Sequence, residues 1–185
     1  VDDEHLWMFS RVCDVFLDNP QVGDQDLEYL RGLTDLETLC LNDTRVTDAG
    51  LTHVQSLTNL EILRLDLPQL SDAGIENLQE LTNLKKLNLA NTQVGHVLGL
   101  TELQWLFLNG TQVTDAGLKH LYGLSQLQRL FLNNTQVTDA GLEHLRGLNM
   151  LRRIHLSDTQ VTDAGLEHLR GLTNLWDLSL DNTQI

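Results

Sequence analysis

Aromatic residues are scarce, at 5% of this 185-residue sequence, so rings cannot fill its interior and aliphatic side chains must. Proline and cysteine occur twice each, too few for a proline-rich linker or a disulfide-stapled scaffold. No stretch approaches the roughly 20 consecutive apolar residues of a membrane-crossing helix. Basic residues are few as well. Twelve Lys and Arg stand against 26 Asp and Glu, for a net charge of −14. Such a surface repels phosphate backbones, which argues against nucleic acid as a partner, and it keeps a chain soluble. Signatures of catalysis are also missing: there is no G-x-x-x-x-G-K phosphate cradle, no H-E-x-x-H, no C-x-x-C and no G-x-S-x-G. The expectation is a protein that is not an enzyme, with no cofactor and no membrane segment. No charged-then-apolar leader precedes the first apolar period, and there is no starting methionine.

Leucine in a fixed period is what the chain does have. "TQVTDAGLEHLRGL" spans residues 135–148 and returns letter for letter at 159–172. Units begin at Val12, Leu36, Leu60, Leu84, Leu103, Leu127, Leu151 and Leu175, 24 residues apart except for one unit of 19. A full unit reads L-x-x-L-x-L-x-x-T-x-V-T-D-A-G-L-x-H-L-x-x-L-x-x, counted here from position 1. Two periodicities share it. In "LQRLFLNNT", Leu130 and Leu132 alternate with Arg129, Phe131 and Asn133, the pattern of a strand. Leu142, Leu145 and Leu148 then recur every third residue, which suits a short helix. Thr138 offers an N-cap oxygen, Asp139 a first-turn negative charge, and Gly147 a left-handed stop. A strand followed by a returning helix cannot enclose its own leucines, so the units must stack and share one interior.

With "LETLCL", "LKKLNL", "LQWLFL" and "LQRLFL" in place, the chain resembles a leucine-rich repeat protein over nearly its whole length. Its "VTDAGL" phase is similar to the ribonuclease-inhibitor-like and cysteine-containing subclasses and to multicopy bacterial arrays. The resemblance implies an α/β fold: a right-handed solenoid with a parallel sheet on its concave side, short helices on its convex side, and protein recognition as its usual work. Residues 1–185 read as a single array. Residues 1–11 form the second half of a preceding repeat or an N-terminal cap, with Leu6 and Phe9 in core columns, and 175–185 a truncated last repeat. Because Leu178, Leu180 and Ile185 have no cap in view, the chain is expected to be a piece of a longer array, with flanking repeats or domains.

Several columns depart from the family pattern. Asparagine often stands at position 9 in the family and ladders to adjacent turns. Here Thr44, Thr92, Thr111, Thr135, Thr159 and Thr183 stand there, so a hydroxyl is expected to make that bond. Pro20 and Pro68 share the same column, which fits the end of a strand. The 19-residue unit, "LKKLNLANTQVGHVLGLTE", lacks the "TDAGL" equivalent and predicts a convex turn with little helix, a local dent and a change of curvature. Cys13 and Cys40 fall on neighbouring strands three positions out of register, on the order of 11 Å apart and beyond disulfide reach. Free thiols favour a reducing, cytoplasmic setting over secretion. Sequons at Asn42, Asn109 and Asn133 share one repeat position and are ascribed to repetition.

Two rows of polar residues invite functional readings. His53, His96, His120, His144 and His168 form one column continued by His5, but helices pack about 8–10 Å apart, whereas zinc needs ligand atoms near 2 Å. A repeated surface residue is the expectation, with no metal. Asp48, Asp72, Asp115, Asp139 and Asp163 form a helix-start column and are ascribed to capping.

The outward strand positions vary most. Position 3 reads Asp14, Thr38, Ile62, Lys86, Trp105, Arg129, Arg153, Asp177, and position 5 reads Phe16, Cys40, Arg64, Asn88, Phe107, Phe131, His155, Ser179. Trp105, Phe107 and Phe131 should lie side by side on the concave sheet, with Arg129, Arg152, Arg153 and His155 adjoining and Trp176 at the far edge. Strands about 4.8 Å apart make this a patch about 15–20 Å across. Arg64, Lys85, Lys86, Arg129, Arg152 and Arg153, six of the twelve basic residues, are assigned to outward strand positions.

Aromatics beside arginines are the material of interface hot spots. The expected function is a recognition module that binds a protein or peptide on the concave face. Trp105, Phe107 and Phe131 would serve as apolar anchors, and Arg129 and Arg153 would pair with a carboxylate-bearing partner. Replacing Trp105 and Phe131 by alanine should then abolish capture and leave melting nearly unchanged. The alternatives are a structural or assembly segment of a larger protein, and the substrate-receptor part of a ubiquitin-ligase-like complex.

Overall fold

The computed structural model describes residues 12–97 and 99–185; the expectations for residues 1–11, including His5, Leu6 and Phe9, lie outside the described residues. Eight three-residue strands form one parallel sheet in sequence order: β1 Asp14–Phe16, β2 Thr38–Cys40, β3 Ile62–Arg64, β4 Lys86–Asn88, β5 Trp105–Phe107, β6 Arg129–Phe131, β7 Arg153–His155 and β8 Asp177–Ser179. Each strand pairs positions 3 to 5 of its unit with the same positions of the next, as in Trp105↔Arg129 and Phe107↔Phe131. The register survives the short unit, where Lys86 pairs with Trp105. The five missing residues are therefore absorbed off the sheet.

The middle residue of each strand points inward: Leu39, Leu63, Leu87, Leu106, Leu130 and Ile154 are fully buried. Leu41, Leu65, Leu89, Leu132 and Leu156 at position 6 join them, as do the returning leucines such as Leu51, Leu118, Leu142 and Leu145. Burying each leucine is worth about 1.5–3 kcal/mol relative to leaving it exposed. The columns open out at β8, where Leu178 and Ile185 are exposed.

The return path is helical but short. A 3₁₀ turn covers Asp24–Leu30 and another Gly50–His53; α1 is Asp72–Ile75, α2 Asp115–Leu118, α3 Asp139–Leu142 and α4 Asp163–Leu169. Gly147 adopts φ 95° just past the α3 segment, the left-handed stop that the sequence predicts. No helix lies between β4 and β5 among the described residues, again as the sequence predicts, yet Val97 and Leu100 of that unit still reach the core. No helix among the described residues is long and apolar enough to cross a membrane.

Three columns act differently from expectation. The position-9 threonines do not ladder between turns. Each donates its hydroxyl to the carbonyl three residues back in its own unit, as Thr135 does to Leu132 at 2.7 Å and Thr92 to Leu89 at 2.7 Å. The hydroxyl is too short to reach the neighbouring coil. The ladder runs instead through position 7. Asn42 Oδ1 accepts the Asp66 N–H, Asn109 Oδ1 the Asn133 N–H, and Asn133 Oδ1 the Ser157 N–H at 2.9–3.2 Å. The three sequon asparagines thus hold coil to coil.

The prolines sit four residues past their strands, at the first corner (second residue) of β-turns closed by Val22 N–H to Asn19 O and Leu70 N–H to Leu67 O. Proline presets φ for that corner. In other units position 8 takes positive φ (Asp43, Asn91, Gly110, Asn134, Asp158, Asn182). That conformation is costly for a leucine such as Leu67 and tolerated by Asn, Asp and Gly.

The position-13 aspartates do more than start helices. Asp139 accepts both the backbone N–H and the hydroxyl of Thr162 in the next coil, at 2.8 and 2.7 Å. Asp115 does the same for Thr138, Asp48 for Ser71 and Asp24 for Thr47. Burial alone would raise the Asp139 pKa, but hydrogen bonds from Thr162 and Gly165 and the nearby His168 hold it below the ordinary carboxylate value.

Candidate functional site

The in-register sheet decides which outward side chains meet. Because strand neighbours share positions, side chains of one column stand side by side along the sheet. Columns 3 and 5 together carry Arg64, Lys86, Arg129 and Arg153 against Asp14 and Asp177. The concave face is therefore net basic on a chain of net charge −14.

The rings form two packed rows. In column 5, Phe107 and Phe131 are stacked with centroids 4.5 Å apart and planes within 2°. His155 meets Phe131 edge-on at 4.8 Å. In column 3, Trp105 is flanked by cations from both neighbouring strands, the Arg129 guanidinium at 4.0 Å and the Lys86 ammonium at 4.6 Å from its centroid. Lys86 also lies 5.7 Å from the Phe107 ring. Trp105, Phe107, Arg129, Phe131, Arg153 and His155 are all half-buried, so the rings are not bare apolar anchors. Burial, together with repulsion from Arg64 and Arg129, lowers the Lys86 pKa below the usual lysine value.

The far end of the face is wired differently. Arg153 Nε lies 2.7 Å from Asp177 Oδ2, and His155 Nε2 is 3.6 Å from Asp177 Oδ1. Both nitrogens are shielded from solvent, and neither meets the carboxylate as a well-formed hydrogen bond. Arg153, expected to pair with a partner, is thus already paired within the chain. Its guanidinium also sits 4.9 Å from the Trp176 ring. Trp176, 67% exposed, and the exposed Arg152 precede their strands at position 2. They line the rim and not the sheet face, as does Lys85, which pairs with Glu61 at 2.6 Å. Strand alternation gives position 2 no outward place, which corrects the assignment of Lys85 and Arg152 to the concave wall.

Cys40, at an outward strand position, is fully buried, and burial pushes its thiol pKa up. Cys13 and Cys40 are both free. On the convex side, His96 and His120 lie 5.1 Å apart, and His96 Nδ1 is 3.3 Å from Asp72 Oδ2. No cluster of three or more His, Cys, Asp or Glu placed to hold a metal occurs among the described residues.

One further feature was missed. A recess of about 630 Å³ opens beside β3 and β4, floored by Arg64, Lys86, Asn88 and Phe107 and edged on its loop side by Asp43 and Asp66. Arg64 is readable from the position-5 column, but nothing in the repeat pattern ranks it above Arg153.

The chain has the fold of leucine-rich repeat proteins. A family model described as "Leucine Rich repeat" matches residues 147–169, and solved structures similar to the chain carry the same fold. Internalin C2 of Listeria monocytogenes is 26% identical with a TM-score of 0.73, covering 91% of this chain and 80% of its own. A second internalin of that organism, inlF, is 27% identical with a TM-score of 0.68 over 86% of this chain. A leucine-rich repeat protein of Leptospira interrogans is 28% identical with a TM-score of 0.71 over 84%. This chain spans only 52% and 40% of the latter two. No curated protein matches it. Leucine-rich repeats commonly serve as protein-interaction modules and are generally non-catalytic.

Proposed function

We propose that this protein is a non-catalytic recognition module that holds a protein or peptide on its concave face. The observation that carries the reading is the packed row of rings and cations on β4–β6, displayed on a face whose strand columns are net basic while the chain as a whole is acidic. Pre-packed side chains lose little further freedom on binding, which favours affinity. The rim pair Arg152 and Trp176 extends the contact surface past β7, while Arg153 and His155 stay engaged with Asp177 and shape the floor.

The test is to pan a displayed peptide library against the wild type and against a Trp105→Ala, Phe131→Ala double variant. The wild type is expected to enrich a sequence family that the double variant binds at least roughly thirtyfold more weakly, the loss of one strong hot spot. Equal binding by both removes the patch. Phe131 is held between Phe107 and His155, so the variant should also melt slightly lower, by about the 0.5–1.5 kcal/mol of an aromatic pair. The sequence alone suggested no such drop, and binding is therefore compared well below the transition.

A further inference from the structure

We propose that the segment recognised on this face is acidic: a short extended peptide whose carboxylates are held by Arg64, Lys86 and Arg129 across β3–β6. This rests on the recognition reading above and narrows it to one partner chemistry.

The orientation of the rings comes first. Phe107 and Phe131 stack along the strand-to-strand direction, and Trp105 lies between side chains from β4 and β6. Ring planes stacked in that direction stand upright on the sheet, so their broad faces are covered by one another and by cations. What they turn toward solvent is the ring rim. An aromatic ring is electron-rich on its face and electropositive at its edge. The solvent side of this row is therefore electropositive twice over, from the cations and from the rims between them. An apolar helix seeking ring faces finds them occupied, whereas a carboxylate finds complementary charge.

The charge accounting points the same way. Among the described residues, Arg64, Lys86 and Arg129 form no ion pair; Arg45, Lys119, Arg146 and Arg152 form none either, but only the first three stand together in outward strand columns. By contrast, Lys85 is paired with Glu61 and Arg153 with Asp177. Three cations left unpaired on consecutive parts of one face repel one another; burial first, and the Arg64 and Arg129 charges after it, hold the Lys86 pKa down. An anionic ligand relieves that repulsion. Asp43 and Asp66 edge the recess on its loop side without pairing with these cations, and the Asp66 carboxylate instead accepts the Asn91 amide at 3.0 and 3.2 Å. Acidic residues at β1 (Asp14) and β8 (Asp177) bracket the belt, confining the favourable stretch to its middle. From β3 to β6 is three strand spacings, about 14 Å, or four to five residues of extended chain at about 3.3 Å each. A nucleic acid offers anionic charge too, but its remaining phosphates would face the surrounding acidic surface.

The measurement is fluorescence anisotropy with a labelled peptide, Gly-Asp-Glu-Phe-Glu-Asp-Gly, against its Asn/Gln counterpart and a single-stranded oligothymidylate. The acidic peptide is expected to bind at least roughly tenfold tighter than the amide version, with affinity falling as salt rises. Arg64→Met and Lys86→Met, which keep the alkyl stems, should each weaken it roughly threefold to tenfold. Arg170→Met on the convex side, where Arg170 pairs with Glu167, should leave it unchanged. Equal binding of the amide peptide, indifference to the two belt variants, or tighter binding of the oligothymidylate overturns the proposal. If panning yields a neutral sequence that still depends on Trp105 and Phe131, this proposal falls while the recognition reading stands. If panning yields nothing dependent on them, the recognition reading falls as well.

Discussion

The full coil at 127–150 and the short coil at 84–102 solve the same stacking problem with different chemistry. In the full coil, the Asp139 carboxylate reaches the next coil and takes the Thr162 N–H and hydroxyl. With its proton committed to that carboxylate, the Thr162 oxygen is free to accept the Ala164 N–H at 3.2 Å and so cap α4. The short coil has no such aspartate. In the next coil, Thr114 starts α2 without a side-chain cap, and the contact is made backbone to backbone. A carboxylate of one coil therefore orients the hydroxyl that starts the next coil's helix. Where it is deleted, the cap goes with it.

Glycine substitutions at position 15 should separate the two solutions. A Cβ on Gly117 would land on the Gly95 carbonyl oxygen of the short coil, so backbone and not a flexible side chain must shift. Gly117→Ala should give the largest loss, at or above the upper end of the roughly 1–3 kcal/mol typical of overpacking, read from urea unfolding. A Cβ on Gly141 meets the Asp115 side chain instead. Gly141→Ala should cost about 1–3 kcal/mol, and the double variant with Asp115→Ala should lose less than the sum of the two single losses, because the carboxylate that obstructs the new Cβ is gone. No side-chain truncation should show such coupling with Gly117→Ala, where the obstructing atom is a backbone oxygen. Double-mutant cycles showing equal coupling at both sites would erase the distinction.

The smallest expected effect concerns charge. Asp139→Asn leaves the shape but replaces one of the two acceptor oxygens by an NH2 group, so one of the two Thr162 donors loses its acceptor, at about 1–2 kcal/mol near neutral pH. The Asp139 pKa is lowered on folding, so its contribution is fully present above the unfolded carboxylate value, near 3.9, and is lost as pH falls through the lower folded value. The stability gap between wild type and variant should accordingly be flat from neutral pH down to about 5 and close as pH drops below the ordinary carboxylate range. A gap that persists at pH 2 would show that the carboxylate charge contributes nothing.

Much of the architecture was written in the leucines. Strand positions 3 to 5 followed from alternation around Leu130, and the concave neighbours Trp105, Phe107, Arg129 and Phe131 followed from unit starts alone. What escaped the sequence reading depends on reach between coils. Whether the position-9 threonine or the position-7 asparagine spans to the next turn is a matter of side-chain length and direction, and the asparagines at 42, 109 and 133 had been set aside as sequons. The Arg153–Asp177 pair was within reach, since opposite charges stand at equivalent positions of adjacent units. That Trp105 has no free face was not, because it depends on where Lys86 and Arg129 fold their long side chains.

The unbroken pairing of Lys86 with Trp105 across a unit five residues short means that length can be edited on one side of this molecule without disturbing the spacing on the other. The inner wall behaves as a ruler with one mark per strand, indifferent to how far the outer path wanders between marks. A designer, or natural drift, can trim the outside of a coil and still find every displayed residue opposite its old neighbour.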